Sequence, residues 1–316
     1  MKITFLDAAT LGDDLSTDAF LDFGEVTVYP TTAPDEVRAH LEGTDAVVLN
    51  KIKLGAHNLS GNDRLRLICI TATGFDNIDL DYCRAHGIAV CNVVGYSTQC
   101  VAQVAVTLAL SLITHLPEYT AYVADGRYTA SGVANRLVPV YHEIAGKTWG
   151  IVGFGNIGRQ VGEVARALGC RVLVNKRTPI EGWECVDVDT ICRKSDILSI
   201  HTPLNDGTRN LINRERIASM KQSAILVNVA RGAVTDEAAL ADAVLEGRLG
   251  GLGIDVYSSE PLPADHPFQR ILSLPNVALT PHMAWGGYET RVRLLDEVYA
   301  NIRSYLDGGE RNRIEK

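Results

Sequence analysis

The sequence predicts an α/β protein of two doubly wound parallel-sheet domains, and three observations support that prediction. The chain has 316 residues, more than one hydrophobic core usually organises, so two domains are expected. Short apolar runs alternate with helical patterns along the chain, which indicates parallel strands covered by helices. A glycine-rich segment near mid-chain, Gly153 to Gly158, follows one such apolar run and opens a helical pattern.

The first series of strands is predicted in the amino-terminal third of the chain. The helical pattern from Ser97 to Leu116 then leaves this unit, and Pro117 to Gly146 loses its periodicity, which predicts an irregular segment. The strands of the first series are predicted at Ile3 to Leu6, Val26 to Tyr29, Ala46 to Leu49, Leu67 to Ile70 and Ile88 to Cys91.

A second and stronger series follows and predicts a complete doubly wound domain. The apolar spacing from Tyr288 to Leu306 predicts a last helix, assigned back to the first domain. The domains are therefore expected at 1–97 with 286–316, and at 98–285, the first being flavodoxin-like and discontinuous. The strands of the second series are predicted at Thr148 to Val152, Val172 to Asn175, Ile197 to Ile200, Ala224 to Asn228, Gly251 to Val256 and Val277 to Thr280.

Composition excludes several classes of function. Hydrophobic residues make up 46% of the chain and charged residues 22%, a balance typical of folded globular proteins. The net charge of −8 disfavours binding to nucleic acid or to an anionic membrane surface, because both reward a basic face. A small anionic substrate would therefore need local cations.

The cysteines and the amino terminus indicate the cellular compartment of the protein and whether it has a metal site. The seven cysteines form no C-x-x-C pair, so no metal site is predicted and reduced thiols are expected. The chain starts directly with a strand-like run and lacks both a secretory pattern and an apolar stretch long enough to span a bilayer. These features predict a cytoplasmic protein.

The glycine-rich segment matches G-x-G-x-x-G. The glycines allow a tight turn and close approach of a pyrophosphate, which would lie on free N–H groups at a helix N-terminus. The alternative is a glycine-rich turn without a ligand; the position between a strand and a helix favours a Rossmann dinucleotide-binding domain. The predicted cofactor contacts in this loop are Gly153, Phe154, Gly155, Asn156, Ile157 and Gly158.

Three ionisable residues follow predicted strands of the second domain: Arg231, Glu260 and His282. Each alone has an ordinary interpretation: Arg231 as part of a surface ion pair, Glu260 as a solvated loop acid and His282 as a core histidine. Together they supply a bidentate carboxylate anchor, a proton donor that titrates near neutrality and a carboxylate that orients the donor. This combination suits the reduction of a keto acid.

At this point the sequence resembles the D-isomer-specific 2-hydroxyacid dehydrogenase family along nearly its whole length. The motifs that carry the resemblance are Thr71 to Asp79, Gly153 to Gly158, His201 to Leu204, Val229 to Gly232, Asp255 to Pro261 and Pro281-His282.

The resemblance implies specific roles. Arg231 would bind the substrate carboxylate, His282 would protonate the carbonyl oxygen and Glu260 would hold the imidazole. Asp255 would contact the nicotinamide carboxamide, and Thr73-Gly74 would complete the carboxylate pocket from the first domain, so the domains would close for reaction. Further predicted cofactor contacts are His201, Thr202, Pro203, Thr208, Val229 and Ala230. A homodimer is also implied, with the Ser97 to Leu116 helix and the segment after it near the interface.

Local features look like the glycerate dehydrogenase, or hydroxypyruvate reductase, branch of the family. Among them, Lys51 and Trp285 are taken as candidate substrate contacts, although a solvated surface lysine is the alternative for Lys51. The expected reaction is hydride transfer from NAD(P)H to a small 2-keto acid of the hydroxypyruvate or glyoxylate type, giving a D-2-hydroxy acid such as D-glycerate. Formate dehydrogenases, which resemble this family too, carry glutamine as the partner of the histidine, so Glu260 argues against them.

A rival hypothesis is a dinucleotide-sensing scaffold, because corepressor proteins that resemble this family bind the cofactor and act mainly through partners. Turnover with hydroxypyruvate or glyoxylate would separate the two. The enzyme is favoured, with a small-molecule substrate and neither nucleic acid nor membrane as partner.

The cofactor prediction depends on the end of the second strand of the dinucleotide domain. NAD-specific domains place an acid there, which accepts hydrogen bonds from the ribose and repels a 2′-phosphate. Here the aligned positions are Lys176, Arg177 and Thr178. Two cations and a hydroxyl can bind a phosphate, so NADP is favoured while NAD remains possible.

Overall fold

A computed structural model describes residues 1–176 and 178–316 of the chain. The candidate cofactor residue Arg177 lies outside the described residues. The chain divides into two compact units, Met1–Ser97 with Gly286–Lys316 (unit 1) and Thr98–Trp285 (unit 2).

Unit 1 contains a five-stranded parallel sheet. The strand order is β2-β1-β3-β4-β5, the flavodoxin-like arrangement. Strands β3 and β4 are buried at every residue, as expected for central parallel strands covered on both faces. The strands are β1 (Lys2–Phe5), β2 (Glu25–Val28), β3 (Ala46–Leu49), β4 (Leu67–Ile70) and β5 (Ala89–Cys91); the helices are α1 (Val37–His40), α2 (Ala56–Leu59), α3 (Leu80–Ala85) and α11 (Tyr288–Leu306), with 3₁₀ turns at Ala8–Leu11 and Asp18–Phe23.

Helix α11 belongs to unit 1 although it is the last helix of the chain. Its buried side chains recur at helical spacing, and Asn301 donates a hydrogen bond to the Asn92 carbonyl at 3.0 Å. Tyr299 packs on the rings of Phe20 and Phe23. These contacts return the carboxyl-terminal segment to the first sheet.

Unit 2 contains a seven-stranded parallel sheet in the order β12-β11-β10-β9-β6-β7-β8. This is Rossmann topology, in which the strand order reverses between β6 and β9. The strands are β6 (Thr148–Val152), β7 (Arg171–Asn175), β8 (Glu184–Cys185), β9 (Ile197–Ile200), β10 (Ile225–Asn228), β11 (Gly251–Ile254) and β12 (Val277–Leu279); the helices are α4 (Thr98–Ile113), α5 (Leu116–Ala124), α6 (Arg127–Ser131), α7 (Asn156–Ala167), α8 (Val188–Lys194), α9 (Arg214–Ser219) and α10 (Glu237–Leu245), with 3₁₀ turns at Gly232–Val234 and Pro267–Arg270.

Both predicted sheets are present, and the two-domain α/β prediction is confirmed. The irregular segment expected from Pro117 to Gly146 is wrong in part, because α5 and α6 lie within it. Pro117 at the start of α5 favours helix initiation. No residue of either helix is buried, so the pattern of a core-facing helix is absent from the sequence. The two-residue strand β8 was too short to give a signal.

Two further findings concern membranes and thiols. Within residues 1–176 and 178–316, no single helix is long and apolar enough to cross a membrane; the bent pair α4 and α5 meets the length and composition requirement only when combined. No disulfide joins the seven cysteines in the part of the chain that the structure describes, and five of the cysteines are buried.

Candidate active site

The glycine loop joins β6 to α7, and its glycines are needed for different reasons. Gly153 has φ of +90°, and a Cβ there would lie 2.5 Å from the Thr202 backbone nitrogen. A Cβ on Gly158 would lie 2.2 Å from the Gly153 carbonyl oxygen. By contrast, no atom lies within 4 Å of the Cβ position of Gly155 at the helix N-terminus. This open backbone fits the close approach of a pyrophosphate.

The side chains of the loop divide into buried and exposed ones. Phe154 is buried, with its ring 4.6 Å from that of Trp183, so only its backbone can face a ligand. Ile157 packs against the core of unit 2, whereas Asn156 is exposed at the start of α7. The loop therefore offers mainly backbone groups to a cofactor.

Strand β7 ends without an acidic residue. Lys176 and Thr178 are exposed just beyond it, and Asn175 donates to the Val186 carbonyl at 3.1 Å. The nearest acid in the following turn is Glu181. The first residue after β7 is thus a cation, Lys176, and not an acid.

His201 follows β9. This strand is the neighbour of β6, and the strand order of the sheet reverses between the two. Its Nε2 lies 3.0 Å from Ser199 Oγ, which accepts a hydrogen bond from Trp149 Nε1 at 2.9 Å. Its Nδ1 is excluded from solvent and has no hydrogen-bond partner among the described residues. Burial lowers the pKa of His201 to about 3, so the ring is neutral.

The segment after His201 forms a compact loop. The backbone of Thr202 contacts Gly153, which places it beside the glycine loop, and Pro203 is exposed. The Thr208 hydroxyl donates to the Pro203 carbonyl at 2.6 Å and accepts from the Asn205 backbone at 2.8 Å. Thr208 thereby stabilises the loop, and its contact with a cofactor stays a prediction.

Arg231 is presented by a turn that Asn228 stabilises. The Asn228 side chain accepts from the Ala230 backbone at 3.0 Å and donates to the Arg231 carbonyl at 2.9 Å. Arg231 is half-buried, and its Nη1 donates to the Ala230 carbonyl at 2.8 Å. Val229 is buried, so it faces the core.

Glu260 and His282 form the central pair of the site. Glu260 Oε2 lies 2.7 Å from His282 Nδ1, and each side chain is about a quarter exposed. Glu260 Oε1 accepts from the Tyr257 backbone at 3.1 Å. His282 has φ of +54°, a conformation that costs a non-glycine residue about 1 kcal/mol. The carboxylate thus fixes an imidazole held in an unfavourable backbone conformation.

Asp255 is buried, and both oxygens of its carboxylate accept hydrogen bonds. Its Oδ1 accepts from Thr280 Oγ1 at 2.6 Å and from the Met283 backbone at 2.8 Å, while Oδ2 accepts from the Ala284 backbone at 2.9 Å. Burial raises the pKa of this carboxyl, and the hydrogen bonds oppose that effect. Asp255 therefore holds the segment around His282, a role that the sequence did not suggest; its contact with nicotinamide stays a prediction.

Other residues of this network were also missed. Tyr257 donates its hydroxyl to the Thr280 carbonyl at 2.9 Å, and burial followed by nearby carboxylates raises its pKa to about 12. Glu237 and His266 form a buried pair 3.0 Å apart behind the loop that carries Glu260. Nothing in the sequence signals these contacts, because they join segments far apart in the chain. Trp285, the last residue of unit 2, packs partly against the core.

In unit 1, the candidate residues follow the adjacent strands β3 and β4. The Lys51 backbone donates to Asp7 Oδ2 at 2.6 Å, and its side chain is exposed. Thr73 donates its hydroxyl to the Val93 carbonyl at 2.7 Å, and Gly74 follows it. The Asn50 side chain donates to the Thr71 carbonyl at 2.9 Å. The loops that carry Lys51 and Thr73 are therefore neighbours within this unit.

Comparisons with known proteins show which family the chain resembles. The family model described as D-isomer specific 2-hydroxyacid dehydrogenase, NAD binding domain, matches residues 106–284. The glycerate dehydrogenase of Methylorubrum extorquens is 35% identical over 315 residues, 99% of either chain. The hydroxypyruvate reductase of Blautia hydrogenotrophica is 32% identical and covers 100% of either chain. An acyclic imino acid reductase in complex with NADPH and D-Arg superposes with a TM-score of 0.87 at 29% identity, over 99% of this chain and 100% of that one.

Proposed function

We propose that this chain, which belongs to the D-isomer-specific 2-hydroxyacid dehydrogenase family, reduces small 2-keto acids of the hydroxypyruvate and glyoxylate type to D-2-hydroxy acids such as D-glycerate. The observation that supports this most is the hydrogen-bonded Glu260–His282 pair, which follows strands of the same Rossmann sheet as Arg231. The relatives named glycerate dehydrogenase and hydroxypyruvate reductase support the choice of substrate.

Two side chains have direct roles in the proposed reaction. Arg231 binds the substrate carboxylate through two parallel hydrogen bonds and so orients the keto group. Because Glu260 holds Nδ1 of His282, the ring nitrogen that exchanges a proton with substrate is Nε2. A bound reduced nicotinamide would be the source of the hydride that the carbonyl carbon accepts. His282 gives its proton to the carbonyl oxygen, and its ring becomes neutral.

Glu260 and Asp255 act through His282. Ionised Glu260 stabilises the imidazolium that precedes proton transfer and fixes the plane of the ring. Asp255 binds the backbone of Met283 and Ala284, immediately after the histidine. The imidazole is therefore held from two sides before substrate binds, which lowers the cost of reaching the reactive geometry.

The cofactor belongs to the NAD(P) class, and we propose that NADP is preferred. The exposed Lys176 and Thr178 stand where an acid would select NAD. In this proposal the Lys176 ammonium and the Thr178 hydroxyl bind the 2′-phosphate, with Arg177 as a third contact. The glycine loop and the segment from His201 to Pro203 would hold the remainder of the dinucleotide.

Lys51, Thr73, Gly74 and Trp285 complete the proposed substrate contacts. Lys51 supplies a cation that an overall acidic protein needs for an anionic substrate. Its alternative role as a solvated lysine is tested by Lys51→Met, with the exposed Lys53→Met as control: the proposal requires a higher KM for the keto acid only in the first variant.

We also propose a homodimer formed through α5, α6 and the segment that follows. This region exposes several large apolar side chains that a monomer would leave in water. They are Leu116, Val123, Val133, Leu137, Val138, Val140 and Tyr141. Light scattering of the wild type should give twice the mass of the chain, and Leu137→Glu should shift the mass toward that of one chain. A wild-type monomer would refute the proposal.

The protein is proposed to act in the cytoplasm, because no disulfide joins its seven cysteines in the described part of the chain, as is usual in a reducing compartment. Family membership and the hydrogen-bonded Glu260–His282 pair favour an enzyme over the dinucleotide-sensing scaffold.

The function is tested with a panel of hydroxypyruvate, glyoxylate and pyruvate, each assayed with NADPH and with NADH, and with chiral analysis of the products. We expect the highest kcat/KM for hydroxypyruvate or glyoxylate, and D-glycerate as the product from hydroxypyruvate. Binding of the cofactor without turnover of any 2-keto acid would favour the scaffold instead.

A further inference from the structure

A second carboxylate–imidazole pair lies behind the loop that carries Glu260. Glu237 is the first residue of α10, and His266 precedes a 3₁₀ turn. Glu237 Oε2 lies 3.0 Å from His266 Nε2, and the side chains are 9% and 5% exposed, respectively. A buried carboxylate is costly unless it is paired and hydrogen-bonded, so a specific arrangement should satisfy it.

The hydrogen bonds define how this pair is protonated. His266 Nδ1 accepts a hydrogen bond from the Phe268 backbone at 3.1 Å, so Nδ1 carries no proton. The Nε2–H group then donates to Glu237 Oε2. A neutral imidazole therefore donates a charge-assisted hydrogen bond to an ionised carboxylate.

The other oxygen of Glu237 reaches the catalytic loop. Glu237 Oε1 accepts from the Ser258 backbone at 2.9 Å, and Glu260 Oε1 accepts from the adjacent Tyr257 backbone at 3.1 Å. Two consecutive amides of the loop are thus each held by a different carboxylate. The peptide that Glu237 holds, Tyr257–Ser258, is therefore next in the chain to the peptide whose N–H binds Glu260.

The same peptide also contacts the segment of Arg231. A Cβ on Gly232 would lie 2.1 Å from the Tyr257 carbonyl carbon and 2.2 Å from the Ser258 nitrogen. Glycine at 232 is therefore required by this close approach. A shift of the Tyr257–Ser258 peptide would displace Gly232, which follows Arg231, together with Glu260.

We propose that Glu237 and His266 are positioning residues, which lock the Tyr257–Ser258 peptide and thereby hold Glu260 against His282 and the Gly232 turn beside Arg231. This inference rests on the proposed role of Glu260 in the reaction. Neither Glu237 nor His266 exchanges a proton with substrate. They fix the Tyr257–Ser258 peptide, and the positions of Glu260 and Arg231 depend on that peptide.

A purely structural role would predict a different outcome. Buried pairs that contain a charged group often add little stability compared with well-packed apolar residues. If the pair only stabilised the fold, its loss would lower the melting temperature and leave the rate per folded molecule unchanged. If the Glu237–His266 pair positions Glu260, loss of the pair should lower kcat. This decrease in kcat should occur only while Glu260 is present.

The test is a double-mutant cycle of Glu237→Gln and Glu260→Gln, with His266→Gln as a second route to the same pair. Asp196→Asn is the control, because the Asp196 carboxylate also joins a backbone amide, that of Thr148, to a second side chain, Lys221, away from the loop of Glu260. Each variant is assayed for kcat and KM with hydroxypyruvate across pH, and for melting temperature. Hydrogen exchange at residues 257–260 is measured without cofactor.

We expect Glu237→Gln to lower kcat by about tenfold with an unchanged KM for the cofactor, since small displacements of catalytic groups have effects of at least that size. Its pH profile should shift in the same direction as that of Glu260→Gln. Exchange at residues 257–260 should become faster. In the Glu260→Gln background, the added loss should be less than about twofold, because interacting residues are not additive.

Independent, multiplicative losses in the cycle would overturn the proposal, as would a lower melting temperature with an unchanged kcat. Should Glu237→Gln fail to fold, His266→Gln is judged by the same criteria. If Glu260→Gln itself leaves kcat unchanged, the proposed role of Glu260 fails. Hydrogen exchange in Glu237→Gln then still decides whether the pair holds the loop, so the two failures are distinguishable.

Discussion

Glu260 and His282 are 22 residues apart in the chain, yet Glu260 Oε2 and His282 Nδ1 lie 2.7 Å apart. The contact forms because β11 and β12 are adjacent parallel strands, whose carboxyl ends meet at one edge of the sheet. Glu260 lies in the loop after β11, and His282 follows β12. The fold itself therefore brings together an acid and a base that sequence distance separates.

Replacing Arg231 by lysine should lower kcat/KM for hydroxypyruvate by about 100-fold. A lysine keeps the charge but cannot form two parallel hydrogen bonds with a carboxylate, and misorientation of the substrate has effects of this size. The control is Arg214→Lys, which changes an exposed ion pair with Asp242 and should leave kcat/KM unchanged. Similar kinetics for the Arg231 variant and the wild type would remove Arg231 from the site.

Replacing Lys176 by aspartate should reverse the cofactor preference. The carboxylate would repel the 2′-phosphate of NADPH and accept hydrogen bonds from the ribose of NADH. We expect the wild type to favour NADPH in kcat/KM, and the ratio to fall by at least about tenfold in Lys176→Asp, since loss of one charge-assisted contact is worth that much. Lys194→Asp, at an exposed helix end, is the control. A wild type that prefers NADH contradicts this account.

His201 should make stability depend on pH in the acid range. Burial lowers its pKa from 6.5 to about 3, so the unfolded chain binds a proton that the folded chain excludes. The contribution of His201 is fully present above about pH 6.5 and is lost as the pH falls from 6.5 toward 3. One group can add at most about 1.4 kcal/mol per pH unit to this slope.

The measurement is the free energy of unfolding of cofactor-free protein by urea at several pH values between 4 and 7. His201→Asn should show a shallower decline than the wild type, whereas His57→Asn, at an exposed histidine, should match it. Identical slopes for the wild type and His201→Asn would contradict the prediction, because they would mean that the ring binds a proton equally well in the folded and the unfolded chain.

Several elements could be predicted because one physical pattern determined them. Helix α11 spans Tyr288–Leu306 as its apolar spacing predicts, and the central strands β3 and β4 have their predicted bounds because they are uniformly apolar. Helices α5 and α6 could not be recognised, since they expose their apolar residues instead of burying one face. A helix without a core-facing stripe leaves no periodic signal.

The site shows a similar division. Arg231, Glu260 and His282 could be proposed because each follows a strand and matches a chemical need of the reaction. Glu237 and His266 could not, because a buried acid at a helix start looks in sequence like an ordinary N-terminal carboxylate. Their partners are determined by tertiary contacts with the Ser258 and Phe268 backbones.

The measurement that tests the central claim most directly is the pH dependence of kcat/KM for hydroxypyruvate reduction in the wild type and in Glu260→Gln. Reduction consumes one proton, which His282 delivers to the carbonyl oxygen, so the wild-type rate should decline as the pH rises. Glu260→Gln removes the carboxylate that holds His282 Nδ1 at 2.7 Å, so proton delivery should weaken and the decline should begin at lower pH in the variant. Glu246→Gln, at an exposed ion pair with Arg248, should retain the wild-type profile. A profile in Glu260→Gln that coincides with that of the wild type would contradict proton delivery by the Glu260–His282 pair.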